Sequence, residues 1–154
     1  MKARTGILTL GILFAGLTVC FAANSSLGTW KLNEAKSKLA PGMPKNLTVV
    51  YAAAGDDIKV TIDGVDGEGK PTHNEWTGKF DGKDYPVTGD PTSDSRALKQ
   101  IDARHIDLTV KKGDKITITG KIVVSADGKS RTVTVSGTDK AGKKVTSTAV
   151  YDKQ

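Results

Sequence analysis

Cysteine, histidine and helix-forming patterns are all scarce in this chain of 154 residues. The one cysteine, Cys20, lies near the N-terminus, so the chain cannot form an internal disulfide and its core alone has to stabilise it. The two histidines, His73 and His105, lie far apart in the sequence, and no Gly-x-Ser-x-Gly turn marks a nucleophile. These shortages argue against an enzyme, and we expect neither a metal site nor a cofactor.

Long apolar runs are also missing, apart from one near the start. Residues 7–21 form an apolar stretch that is short for a membrane-spanning helix, which needs roughly 20 residues. Lys2 and Arg4 precede this stretch, and Ala22-Ala23 follow it. A basic start, an apolar run and a small-residue end are typical of a secretory signal peptide.

This pattern predicts two parts of the chain, a signal peptide at 1–22 and a single exported domain at 23–154. The domain would be periplasmic or secreted, with no stable membrane span after cleavage. Leu17-Thr18-Val19-Cys20 partly matches a bacterial lipoprotein signal, but Val19 stands where that signal has a small residue. Cleavage after Ala22 or Ala23 is therefore the favoured reading, and lipidation at Cys20 is the alternative.

The positive charge of the chain is modest and dispersed. The net charge is +6, from 23 Lys and Arg against 17 Asp and Glu, and removing the first 22 residues lowers it to about +4. The densest basic pairs, Lys111-Lys112 and Lys143-Lys144, lie next to glycines and are not interleaved with aromatic residues. They are typical of turn lysines in a β-protein, and we expect no nucleic-acid partner.

Apolar and polar residues alternate along most of the chain, as in Ile58-Lys59-Val60-Thr61-Ile62. This period of two is typical of antiparallel strands with one buried face, and Asp-Gly and Gly-Asp pairs between the runs predict hairpin turns. The predicted strands cover 28–33, 46–53, 57–64, 72–80, 96–102, 105–111, 115–124, 130–137 and 144–152.

Eight or nine strands in sequence form an all-β antiparallel meander. A closed barrel is favoured over a two-sheet sandwich, because closure removes the exposed strand edges that promote aggregation. Gly120, in the middle of a long strand, fits the bend that closure requires, with an ordinary bulge as the alternative.

Two short segments carry a resemblance to a known family. Gly28-Thr29-Trp30-Lys31-Leu32 resembles the first strand of the calycins, the lipocalins and intracellular fatty-acid-binding proteins, and Thr148-Ala149-Val150-Tyr151-Asp152-Lys153 resembles the last strand of the fatty-acid-binding branch. The resemblance implies a small lipocalin-like β-barrel with Trp30 as the plug of its closed end. It also implies that a basic side chain, Arg131 or Lys153, covers this tryptophan by a cation–π contact.

The chain departs from that family at two places that bear on function. Ala149 stands where fatty-acid-binding proteins usually carry an arginine that grips the ligand carboxylate, which argues against specific capture of fatty acids. The 14 residues from Asn33 to Asn46 are too few for paired lid helices. We therefore expect an open mouth or one covered by loops, and the segment from Phe80 to Pro91 is a candidate cover.

Two functions of different classes remain. The first is a carrier that binds a small hydrophobic or amphipathic molecule inside the barrel, with Trp76, Phe80, Tyr85 and Tyr151 as candidate ligand-binding residues. The second is a non-enzymatic structural or interaction module of the cell envelope with a packed barrel, in which the same aromatic side chains belong to the core. The sequence leaves the oligomeric state open.

The signal peptide yields a testable prediction. The exported protein should begin at Ala23 or Asn24 and carry no lipid, because the small residues before these positions suit the signal peptidase. Intact-mass measurement of the protein from its own host, with a Cys20→Ser variant as control, checks this. A mass that includes a lipidated Cys20 as the first residue would contradict it.

Overall fold

A computed structural model describes residues 25–139 and 141–154, so the predicted signal peptide and Cys20 lie outside the described residues. One short 3₁₀ helix, Glu34–Lys36, follows the first strand. The strands are β1 (Gly28–Leu32), β2 (Lys45–Ala54), β3 (Asp57–Val65), β4 (Pro71–Gly78), β5 (Tyr85–Thr88), β6 (Ser95–Gln100), β7 (His105–Lys112), β8 (Lys115–Val124), β9 (Ser130–Thr138) and β10 (Lys144–Lys153).

The strands form an antiparallel meander that closes into a barrel. Each strand pairs with its neighbour in sequence, and β1 pairs with both β2 and β10. In the closing register Trp30 lies opposite Val49 on one side and Lys153 on the other. The prediction of an all-β closed barrel is confirmed, and the sandwich alternative is wrong.

One strand was not predicted. The segment from Phe80 to Pro91, expected to cover the mouth as a loop, contains β5, which is part of the barrel wall. Val87 pairs with Trp76 of β4, and Tyr85 pairs with Arg96 of β6. β5 escapes detection because four residues are too short for a clear alternation and because Pro86 argues against a strand.

The alternation of side chains along each strand gives the barrel its interior face. Twelve buried apolar residues form one cluster, to which nine of the ten strands contribute. Its members are Trp30, Val49, Tyr51, Val60, Ile62, Trp76, Val87, Leu98, Ile106, Ile122, Val124 and Tyr151.

The two ends of the barrel differ. At the end that we call the lower end, residues 25–27 cross below the strands, and the Ser25 hydroxyl donates a hydrogen bond to the Ala103 carbonyl at 2.6 Å. At the opposite, upper end, the long β1–β2 connection continues along β10, where Lys38 forms a bridge with Thr148. In the parts of the chain described here, no helix is both long and apolar enough to span a membrane.

Gly120 lies on the interior face of β8, where the neighbouring strand approaches closely. Pairing with β9 is regular through this position, so the bulge alternative is wrong here. A Cβ atom on Gly120 would lie 2.6 Å from the Thr134 carbonyl oxygen and 2.8 Å from Val135 Cγ1. The glycine therefore permits close contact between β8 and β9.

This contact predicts the effect of a larger residue. Gly120→Val should lower the free energy of unfolding by about 1–3 kcal/mol, because the added side chain has to displace the β9 backbone. Thr119→Val, on the exposed outer face of the same strand, should stay within about 0.5 kcal/mol of wild type. Chemical denaturation measures both, and equal stability of the two variants would contradict the packing argument.

Candidate functional site

Trp30 occupies the lower part of the interior. Its side chain is 0% exposed, and its indole Nε1 donates a hydrogen bond to the Ser26 carbonyl at 2.8 Å. Because Ser26 belongs to the segment that crosses the lower end, this bond ties that segment to the core. That Trp30 plugs this end of the barrel stays a prediction, which the stability of a Trp30 variant tests.

Arg131 projects from β9 into a group of three aromatic rings. Its guanidinium carbon lies 4.9 Å from the Trp30 ring centroid and 4.8 Å from those of Tyr51 and Tyr151. Lys153 Nζ lies 5.2 Å from the Trp30 ring, so both cations predicted to cover the tryptophan do so. We call Arg131 with Trp30, Tyr51 and Tyr151 the arginine cage.

The arginine cage encloses a charge with few polar partners. Arg131 is 2% exposed, and its Nε and Nη1 atoms have no hydrogen-bond partner among the described residues. The Tyr151 hydroxyl donates a hydrogen bond to the Asn46 carbonyl at 3.0 Å. Burial raises the pKa of Tyr151 to about 12, although the charge of Arg131 opposes this rise. Tyr151 is therefore neutral at physiological pH.

The other predicted ligand-binding residues form a second aromatic group. Trp76 is 1% exposed, and its ring centroid lies 6.3 Å from that of Phe80 and 5.8 Å from that of Tyr85. The Tyr85 hydroxyl donates a hydrogen bond to Asp81 at 3.1 Å. Phe80 also contacts Tyr51 edge-on at 6.3 Å, which joins this group to the arginine cage.

The upper part of the interior differs, because several of its apolar side chains are partly exposed. They share strand faces with fully buried residues, so they point inward. These side chains are Leu108, Ile118, Val133, Val135 and Ala149. Leu108, Val133 and Ala149 pack against the core cluster, and their partial exposure shows that neighbouring side chains do not cover them completely.

A polar pair lies on the same interior face. Arg96 of β6 shares this face with the buried Leu98, and its Nη2 donates to Asn74 Oδ1 at 3.4 Å. Arg96 also pairs with Val110 of β7, which connects it to the partly exposed wall. Sequence reasoning missed both polar residues, although the parity of Arg96 with Leu98 in the predicted strand 96–102 would have placed the arginine inside.

The depressions on the outer surface of the barrel do not contain the residues predicted to bind a ligand. A depression of about 440 Å³ lies between the β1–β2 connection and the β3–β4 hairpin, and another of about 290 Å³ surrounds His105. Neither is lined by a predicted ligand-binding residue. Across residues 25–139 and 141–154, no three His, Cys, Asp or Glu side chains are placed to share a metal ion.

The burial of Trp30 predicts a large effect of its removal. Trp30→Ala should lower the free energy of unfolding by about 3–5 kcal/mol, because it leaves a cavity beneath Arg131. Lys153→Ala removes an exposed cation that contacts the same ring and should cost less than about 1 kcal/mol. Denaturation curves compare them; a Trp30→Ala loss no larger than that of Lys153→Ala would rule out the plug role.

Comparison with models of known protein families gives no match, and comparison with curated proteins gives none either. Among solved structures, a redesigned beta barrel, b11L5F_LGL, matches with a TM-score of 0.47 and 14% identity, over 88% of this chain and 97% of the other. EF1p2_mFAP2b bound to DFHBI matches with a TM-score of 0.49 and 13% identity, over 86% and 97% respectively.

Proposed function

We propose that this chain is an exported, non-enzymatic, lipocalin-like protein that binds a small hydrophobic or amphipathic molecule in the upper part of its barrel. The observation that carries the proposal is the partial exposure of inward-facing apolar side chains on β7–β10. A ligand with an apolar body would cover this surface and remove it from water, which is favourable by about 25 cal/mol for each Å².

The strand number supports the same proposal. An eight-stranded barrel has an interior that side chains just fill, and diameter grows with strand number, so ten strands enclose more space. The aromatic residues that would fill this space lie mainly in the lower part, in the arginine cage and around Trp76. Small and branched side chains, such as Ala149 and Val133, line the upper part.

The packing of the lower part favours a second candidate function. Trp76, Phe80 and Tyr85 contact one another, as they would in a core, and Tyr151 is enclosed in the arginine cage. A barrel packed throughout in this way would act through its loops as an envelope module. The two candidates differ in whether the upper interior has room for another molecule.

A cavity-filling substitution tests this difference without knowledge of the ligand. Ala149→Leu should leave the free energy of unfolding unchanged or raise it by up to about 2 kcal/mol, because the larger side chain occupies unfilled space. A packed interior would instead lose about 1–3 kcal/mol. Ala52→Leu, on the exposed outer face of β2, is the control for the leucine itself. Chemical denaturation of the three proteins distinguishes the outcomes.

Occupancy can also be measured directly. Native mass spectrometry of protein purified from its own host should detect one small apolar or amphipathic molecule per chain, and extraction under denaturing conditions should release it. The Ala149→Leu variant should carry less of this molecule than Ala52→Leu. A ligand-free mass, together with no enhancement of a hydrophobic dye, would favour the envelope module.

A further inference from the structure

Ile116 of β8 is the most exposed large apolar side chain among the described residues. Simple alternation along β8 would place it inside the barrel with Ile118. Val110 of β7 lies opposite Ile118. The next residue of β7, Lys111, lies opposite Ile116, so Thr117 is an extra residue in β8. This β-bulge turns Ile116 to the outer face, where it is 53% exposed.

Three lysines lie in the same hairpin tips as Ile116, at the upper end of the barrel. Lys115 precedes Ile116 at the tip of the β7–β8 hairpin, and Lys143 and Lys144 lie in the β9–β10 hairpin. Because β8 pairs with β9, the two tips are adjacent. All three lysines are exposed, and none forms a salt bridge or a side-chain hydrogen bond with another residue of the described chain. We call Lys115, Ile116, Lys143 and Lys144 the basic rim.

The two hairpin tips keep an excess of positive charge. Residues 111–115 and 139–144 contain six lysines and two aspartates. The first two of these lysines form ion pairs with Asp84 and Asp94 at 2.6 and 2.7 Å, so an excess of +2 remains. Charge complementarity therefore favours an anionic partner for the basic rim.

A second exposed isoleucine, Ile101, lies at the lower end in a different setting. It is 52% exposed, almost the same as Ile116. It lines a depression together with Asp102 and Asp107 as well as Lys121, so acidic groups outnumber lysines there. Exposure of an isoleucine thus coincides with an excess of lysines only at the basic rim.

We propose that the basic rim docks the protein reversibly on an anionic phospholipid bilayer, with Ile116 among the acyl chains and its three lysines at the lipid phosphates. Each lysine near an anionic bilayer raises the affinity by about fivefold, and burial of the isoleucine adds attraction that salt does not screen. One apolar side chain is too little for a permanent anchor, so the protein exchanges with solution. This docking goes beyond the proposed function, because it does not require a ligand in the barrel.

Co-sedimentation of the full exported domain with lipid vesicles tests the charge of the rim. The domain should bind vesicles of equal parts phosphatidylglycerol and phosphatidylcholine, and should not bind phosphatidylcholine alone. The double variant Lys143→Gln with Lys144→Gln should bind the mixed vesicles about tenfold or more weakly. Lys121→Gln with Lys129→Gln removes the same charge from exposed lysines outside the rim and should stay within about twofold of wild type. An equal loss in both double variants would overturn the role of the rim in favour of diffuse attraction.

The two isoleucines provide a matched test of insertion. Ile116→Glu should weaken binding to the mixed vesicles by about tenfold or more, whereas Ile101→Glu should stay within about twofold of wild type. Ile116→Cys and Ile101→Cys, each labelled with a polarity-sensitive fluorophore, report depth. Only the label at position 116 should shift its emission to the blue on the mixed vesicles.

The outcomes separate a bilayer from other partners and from the carrier function. A loss of binding in the rim lysine variant without a blue shift at position 116 would overturn insertion and indicate a soluble polyanion as the partner. No binding of the wild-type protein to the mixed vesicles would overturn docking altogether. Native mass spectrometry of Ile116→Glu should still detect the molecule in the barrel, so the carrier function is tested independently.

Discussion

The enclosure of Arg131 by three aromatic rings is the interaction on which the closed barrel depends. Trp30, Tyr51, Arg131 and Tyr151 come from β1, β2, β9 and β10, the four strands at the closure of the meander. A desolvated cation–π contact is worth about 2 kcal/mol, whereas burial of an unpaired cation costs several kcal/mol. The contacts with the three rings therefore offset the cost of burying the arginine, so its position and the closure of the barrel stabilise one another.

Packing in the barrel is divided along its axis. Aromatic side chains fill the lower part and are buried, whereas small or branched side chains such as Val133 and Ala149 line the upper part and are partly exposed. The large side chains of the lower part contact one another and stabilise the fold. A protein without an internal disulfide needs a well-packed core such as this lower part, since cross-links do not stabilise it.

The sequence predicted the architecture well because one face of most strands is buried. Alternation such as Ile58-Val60-Ile62 located nine of the ten strands, and the resemblance carried by the Gly-x-Trp opening implied that Arg131 or Lys153 covers Trp30. The sequence could not predict β5, which is too short to show a clear alternation. It also could not predict the contact between Arg96 and Asn74 inside the barrel. Arg96 and Asn74 meet across β4, β5 and β6, and their contact depends on the tilt of the strands rather than on local sequence.

The partial exposure of Val133 and Ala149 could not be predicted from the sequence for a related reason. Val133 and Ala149 have the same pattern as residues that are fully buried, because alternation reports which face a side chain occupies and not how much space lies in front of it. The volume of the interior follows from the number of strands and from which of them carry large residues. Both are properties of the assembled barrel.

Closure by the first and last strands also sets the order in which the protein can be completed. Every other pairing joins strands that are neighbours in the chain, and such hairpins can form as soon as both of their strands are available. β1 has to wait for β10, which comes last in the order of the described strands. A chain that emerges from the N-terminus thus keeps the outer edge of β1 unpaired until β10 has been synthesised, and deletion of Lys144–Lys153 would leave that edge open.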